Sequence, residues 1–116
     1  MLLGFRSSIW FYREPVDFRK QIDGLVILVS DTLKKDPVSG QLFVFRNRSG
    51  NKIKLLVWDN AGFWLMYKRM ENNRFKFPLS GEKIWDLSYE QFIWLLSGLD
   101  FTKQKKLSPV KAKYFY

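Results

Sequence analysis

The chain has 116 residues, 47% of them hydrophobic, so it has the size of one domain and enough apolar side chain to fill a core. It contains no Cys and no His, which excludes disulfides, thiolate zinc sites, a Cys nucleophile and every Ser-His or Cys-His catalytic arrangement, and leaves any chemistry to carboxylates, Lys or Tyr. The formal net charge is +9, an excess that suits a polyanionic partner, nucleic acid first.

"IWFYRE" (9–14) is aromatic and β-branched and predicts a strand closed by Pro15. From Asp17 onward Phe18, Ile22, Leu25, Val26, Val29 and Leu33 recur at the spacing of one helix face, which predicts a helix running to about Leu33. Asp17 reads as its N-cap. Arg19 and Lys20 then fall in the first turn, beside the positive end of the helix dipole, where anions are favoured over cations. Two readings fit. The pair holds an anion against the free helix N–H groups, or both side chains bend into solvent or pair with Asp23. Gly24 lowers helicity and implies a neighbour that packs closely.

"KKDPVSGQ" predicts a turn. Three strand-like runs follow, "LFVFR" (42–46), "KIKLLVWD" (52–59) and "FWLMYKRME" (63–71), joined by short polar connections that argue an antiparallel meander. "FKF" (75–77) reads as the start of a further strand before Pro78. "SYEQFIWLLSG" (88–98) predicts a helix with a Ser88/Gln91 capping box, an apolar face of Phe92, Leu95, Leu96 and Leu99, and Gly98 at its end. Residues 1–102 read as one domain. Residues 103–116 read as a basic tail with five Lys and an aromatic end, either a source of phosphate contacts and base stacking or a solubilising terminus.

The positive charge is unevenly placed. Residues 42–77 carry eight basic side chains (Arg46, Arg48, Lys52, Lys54, Lys68, Arg69, Arg74 and Lys76) against two acidic ones. Strand alternation separates Ile53, Leu55 and Val57 from Lys52, Lys54, Leu56 and Trp58. The simplest arrangement is an α+β fold, an antiparallel β-meander of three to five strands with two helices packed on one face. The other face would show Arg46, Lys52, Lys54, Lys76 and Trp58 to a phosphate backbone. The competing reading is a solvated hairpin kept soluble by its charges. Trp58 and Trp64 suit base stacking only if exposed.

Asp17, Asp23, Asp59 and Glu71 could in principle hold Mg²⁺, but no spacing marks them as a set, and each suits a cap, a turn or an ion pair. No catalytic, metal or cofactor site is predicted. There is no secretory signal pattern, and no apolar run exceeds the length of Leu25 to Val29, far short of the ~20 residues of a membrane span. A soluble cytoplasmic protein without a membrane partner is expected.

The segments "PVDFRKQIDGL", "DPVSGQLFVFRNRSGNKIKLLVWDNAGFWLMYKRMENNRF" and "LLSGLD" resemble the accessory protein of insertion-sequence-66-type bacterial transposable elements, the small second reading frame called TnpB. The resemblance covers about residues 9–101. It implies an accessory partner of a separate, larger transposase subunit, with no catalytic residues to carry over; taken with the charge pattern, a non-catalytic subunit that binds the DNA of the element's ends is expected. The alternative it leaves open is a protein-interaction module that docks on the transposase subunit without touching DNA. Asp17, Arg19, Lys20, Asp23 and Gly24 belong to the family pattern, which favours anion contact for Arg19 and Lys20. So do Arg46, Trp58, Lys68, Arg69 and Arg74. Gln21 and Asn73 depart from it, and Asn at 73 still tolerates a left-handed turn.

Overall fold

The structure is a computed structural model that describes residues 7–104. The basic tail therefore lies outside the described residues, apart from its first two positions. The elements in chain order are β1 (Ile9–Tyr12), α1 (Ile22–Asp31), β2 (Leu42–Arg46), β3 (Lys52–Trp58), β4 (Phe63–Arg69), β5 (Ile84–Leu87), α2 (Tyr89–Leu96) and a 3-10 turn at Phe101–Lys103. They form one five-stranded sheet in the order β4-β3-β2-β1-β5.

The β2-β3-β4 meander is antiparallel as expected, with Val44 opposite Leu55 and Leu55 opposite Met66. The sheet as a whole is mixed. β1 runs parallel to β2, with Trp10 opposite Phe43, because the long connection through α1 returns the chain in the same direction. β5 closes the other side of β1 in antiparallel register. The "FKF" segment is not a strand. Phe75 is buried and its N–H donates to the Gly50 carbonyl, but no ladder continues to Pro78. The missing strand comes later, at "IWDL", a four-residue run too short to stand out by periodicity.

The helices do not share a face. Leu25 and Val29 of α1 pack with Phe43, Phe45 and Leu56. Phe92 and Leu95 of α2 pack with Phe11, Val44, Ile53, Leu55 and Val57. These strand residues alternate, so the two clusters lie on opposite sides of the sheet. The cause is in β2 and β3 themselves. Both have apolar residues on both faces, and both faces must be covered.

α1 is shorter than its periodicity. Asp17 to Lys20 form a turn closed by the Lys20 N–H on the Asp17 carbonyl at 3.0 Å, and the helix starts at Ile22. Asp17 is thus not its N-cap. Its carboxylate accepts from the Arg19 N–H two residues on, a local bond that competes with helix. The Phe18 and Lys20 carbonyls accept instead from the Lys54 ammonium. Gly24 does face a close neighbour, since a Cβ there would lie 3.2 Å from the Lys20 side chain.

α2 matches its sequence signals. Ser88 and Gln91 make the reciprocal capping box. Gly98, at φ +81°, donates to the Leu95 carbonyl and Leu99 N–H to the Trp94 carbonyl, a Schellman end. Phe92 and Leu95 are buried, whereas Leu99 is exposed beyond the cap. A Cβ on Gly98 would meet Met70 Cε at 2.8 Å in a backbone region that Ala rarely adopts. Gly98→Ala is expected to cost about 1–2 kcal/mol from the left-handed conformation alone, read as a fall of several degrees in the melting midpoint. Gly98→Asn should cost less, because Asn tolerates that conformation. An unchanged midpoint for the Ala variant would contradict this.

Candidate nucleic-acid interface

The turn between β2 and β3 is built by Asn47. Its Oδ1 accepts from the Gly50 and Lys52 N–H groups, both at 3.0 Å, and its Nδ2 donates to Asn51 Oδ1 at 2.7 Å. Gly50 supplies the positive φ of +76° that lets the chain reverse. The segment after β4 is then tied along this tip. Met70 N–H donates to the Asn51 carbonyl and Phe75 N–H to the Gly50 carbonyl, each at 2.8 Å, and Arg74 donates to the Ser49 carbonyl.

This docking creates a shallow groove of about 360 Å³ whose lining includes Arg46, Arg48, Arg74 and Lys76, with Phe77 and Leu79 on its apolar side. No carboxylate lines it. Arg46 is the fixed member. It is half-buried, donates from Nε to the Arg13 carbonyl at 2.6 Å, and lies 5.1 Å from the Phe77 ring centre. Burial pushes its pKa down, but an Arg stays charged. Arg48, Arg74 and Lys76 are exposed.

The remaining predicted contacts are distributed elsewhere. Arg46 is paired with Ile53 in the ladder, so it faces away from Lys52 and Lys54, and the single basic sheet face does not exist. Lys54 is 2% exposed, its ammonium held by the turn before α1, and cannot reach a ligand. Lys52 lies opposite Arg69, which forms an ion pair with Glu71 at 2.8 Å. Lys68, on the other face, donates to the Leu96 carbonyl at the end of α2. Trp58 is half-buried, edge-on to Phe63, at the opposite end of β3 from Lys52 and the cationic turn. Trp64 is exposed, but its indole N–H donates to Asp59.

Arg19 and Lys20 line a separate open depression with Asp23, Gly24 and Leu65. Arg19 pairs with Asp17, not Asp23, at 2.6 Å. The Arg19 guanidinium hydrogen bond, followed by the Arg19 backbone N–H, holds the Asp17 carboxyl down to about 2. The unfolded value is about 3.9. Stabilisation from this pair is therefore complete above about pH 4 and lost as the pH falls through about 2. A carboxyl NMR titration should find Asp17 low in the wild type and raised toward, though still below, the ordinary value in Arg19→Gln, which keeps the backbone N–H contact. An ordinary value in the wild type would disprove the pairing.

The other carboxylates have local partners. Asp59 accepts from the Trp64 indole and the Ala61 and Gly62 N–H groups, which hold its pKa below the usual range. Glu71 is lowered in the same way by Arg69. Among the described residues no three Asp or Glu side chains come together as a metal site, and no helix is long and apolar enough to cross a membrane.

Sequence reasoning missed Arg13 and Leu79. Arg13 donates to the Leu79, Gly81 and Glu82 carbonyls across more than sixty residues of chain, a contact with no local signal.

A mixed sheet covered by one helix on each side, with a cationic groove at one sheet end, defines a small basic α+β protein that presents charge at its surface. The chain belongs to the IS66 Orf2-like protein family, whose pattern matches residues 7–106. It is 40% identical over 98 residues to uncharacterized protein y4jC of Sinorhizobium fredii, covering 84% of this chain and 83% of that one. It is 36% identical over 110 residues to uncharacterized protein y4hO of the same organism, covering 94% and 96%. No solved structure matches. Membership associates the chain with IS66-type transposition as an accessory protein.

Proposed function

We propose that the protein is a non-catalytic accessory subunit that binds the DNA of its transposable element in the cytoplasm and assists a separate transposase. The observation that carries this reading is the groove of Arg46, Arg48, Arg74 and Lys76, four cations with no carboxylate among them. Guanidinium groups suit phosphate oxygens bidentately, and Lys adds a point charge. Lys52, Arg69 and Lys68 lie toward the same end of the sheet as the β2–β3 turn and extend the positive field. Arg19 and Lys20 form a second, weaker anion contact, because Asp17 already occupies Arg19.

The test is a titration with duplex DNA at several salt concentrations. Four phosphates neutralised give a slope of log K against log salt of roughly −3.6. No binding at low salt overturns the reading.

A second reading, docking on the transposase subunit, draws on a different region. β4 is an edge strand, and Trp64 and Tyr67 on it are 49% and 52% exposed. Open edges accept partner strands, and exposed aromatics anchor interfaces. Capture of the transposase subunit by the wild type, lost on Trp64→Ala and Tyr67→Ala, would support it.

A further inference from the structure

Leu79 is 92% exposed, far more than any other large apolar side chain among the described residues. A single exposed Leu needs no explanation by itself; its backbone support and its neighbours are what give it meaning. This one is held in place. The Arg13 guanidinium donates from Nη1 to the Leu79 carbonyl at 3.2 Å, from Nη2 to the Gly81 carbonyl at 3.3 Å and from Nε to the Glu82 carbonyl at 3.1 Å. The Arg13 N–H donates to the Lys83 carbonyl at 2.7 Å, and Trp85 Nε1 to the Glu82 carbonyl at 2.8 Å. Pro78 fixes the backbone on the other side of Leu79. The loop is thus braced from beneath while the Leu79 side chain points into water. Leu79 also belongs to the lining of the groove that holds Arg48, Arg74 and Lys76.

From this arrangement we infer that Leu79 is a wedge that enters between adjacent base pairs of duplex DNA while the groove cations grip the flanking phosphates. The inference rests on the DNA-binding reading above and adds to it that the bound duplex is kinked. A side chain inserted into the base stack needs three properties: an apolar tip, a support that does not yield, and neighbouring cations that hold the backbone against it. Leu79 has all three. Because the loop is already ordered by Arg13, little further ordering is lost on insertion. Pyrimidine–purine steps unstack most easily and are the favoured entry points. Glu14 is paired with Arg13 at 3.5 Å, and neither it nor Glu82 of the braced loop belongs to the groove lining.

The experiment uses the full chain and a duplex of about 30 base pairs with a central TA step. One end carries a donor dye, the other an acceptor, and a fluorescent adenine analogue sits at the step. The wild type is expected to shorten the end-to-end distance and to raise the analogue's fluorescence as the step unstacks. Leu79→Ala should abolish both signals, weaken binding several-fold, and keep the salt slope. Leu79→Phe should keep the kink. Because Leu79 is exposed, both variants should melt as the wild type does. A wild-type complex with straight, stacked DNA, or a Leu79→Ala complex kinked like the wild type, overturns the wedge and leaves the DNA-binding reading standing. Absence of any salt-dependent binding overturns both. Loss of transposase-subunit capture in Leu79→Ala, with DNA bending unchanged, would reassign Leu79 to a protein contact.

Discussion

Lys54→Ala lowers the thermal midpoint by about 10–20 °C, the largest effect expected of any lysine substitution in this chain. The Lys54 ammonium lies 2.9 Å from the Phe18 carbonyl and 2.7 Å from the Lys20 carbonyl, and 4.9 Å from the Phe18 ring centre. It ties the turn before α1 to β3. Truncation leaves two carbonyls without their donor, removes the packing of the aliphatic stem and releases the turn that carries Arg19 and Lys20. Hydrogen bonds from a charged donor contribute about 1.5–3 kcal/mol each, so a loss of roughly 3 kcal/mol is reasonable against the cost of burying the charge. Lys54→Met restores stem packing but not the donor, and should fall between Ala and wild type.

Burial, and then the Lys52 charge, push the Lys54 pKa below its ordinary value. The unfolded chain therefore binds this proton more tightly than the folded one. Stability from this site rises as the pH climbs from the folded value toward the unfolded value of about 10.4. A neutral amine still has two N–H donors for the two carbonyls. The difference between wild type and Lys54→Met should accordingly widen across that interval when followed by denaturant unfolding. A Lys54→Ala midpoint within a few degrees of wild type would return Lys54 to the set of surface cations.

The second large effect is on binding. Arg48→Ala with Lys76→Ala is expected to weaken duplex-DNA affinity roughly 60-fold at 0.1 M salt and to reduce the salt slope by about 1.8, the effect of two phosphate contacts. Both side chains are exposed on the groove wall, so the double variant should keep its melting midpoint. Loss of affinity with an unchanged slope would mean that the contacts are not to phosphates. Unchanged affinity would move the interface away from the groove. Lys52→Ala is the useful comparison, since Lys52 stands outside the groove and should cost less.

Much of the local structure was legible in the residues. The capping box at Ser88, the stop at Gly98 and the three strands of the meander all rest on interactions within a few residues. The runs read as 42–46, 52–59 and 63–71, bounded by Asn, Gly and Asp, form strands at Leu42–Arg46, Lys52–Trp58 and Phe63–Arg69. Where the reading failed, a distant group intervened. The helix expected from Asp17 begins at Ile22, and the Phe18 and Lys20 carbonyls are bound by a lysine more than thirty residues away. The strand expected at 75–77 is displaced by Pro78 and by bonding to the hairpin tip, and the fifth strand forms only because β1 has an open side.

The candidate site divides in the same way. Composition and order along the chain determined that the protein is basic, that it contains no Cys or His, and that its cations concentrate in residues 42–77. Which of those cations meet was decided by the fold. Alternation assigns side chains to faces within one strand, but the register between strands and the layer above each face depend on contacts distant in sequence. Those contacts buried Lys54 against the turn before α1, put Arg46 across the sheet from Lys52, and brought Arg74 and Lys76 beside Arg48. Charge could be counted in one dimension; its presentation required three.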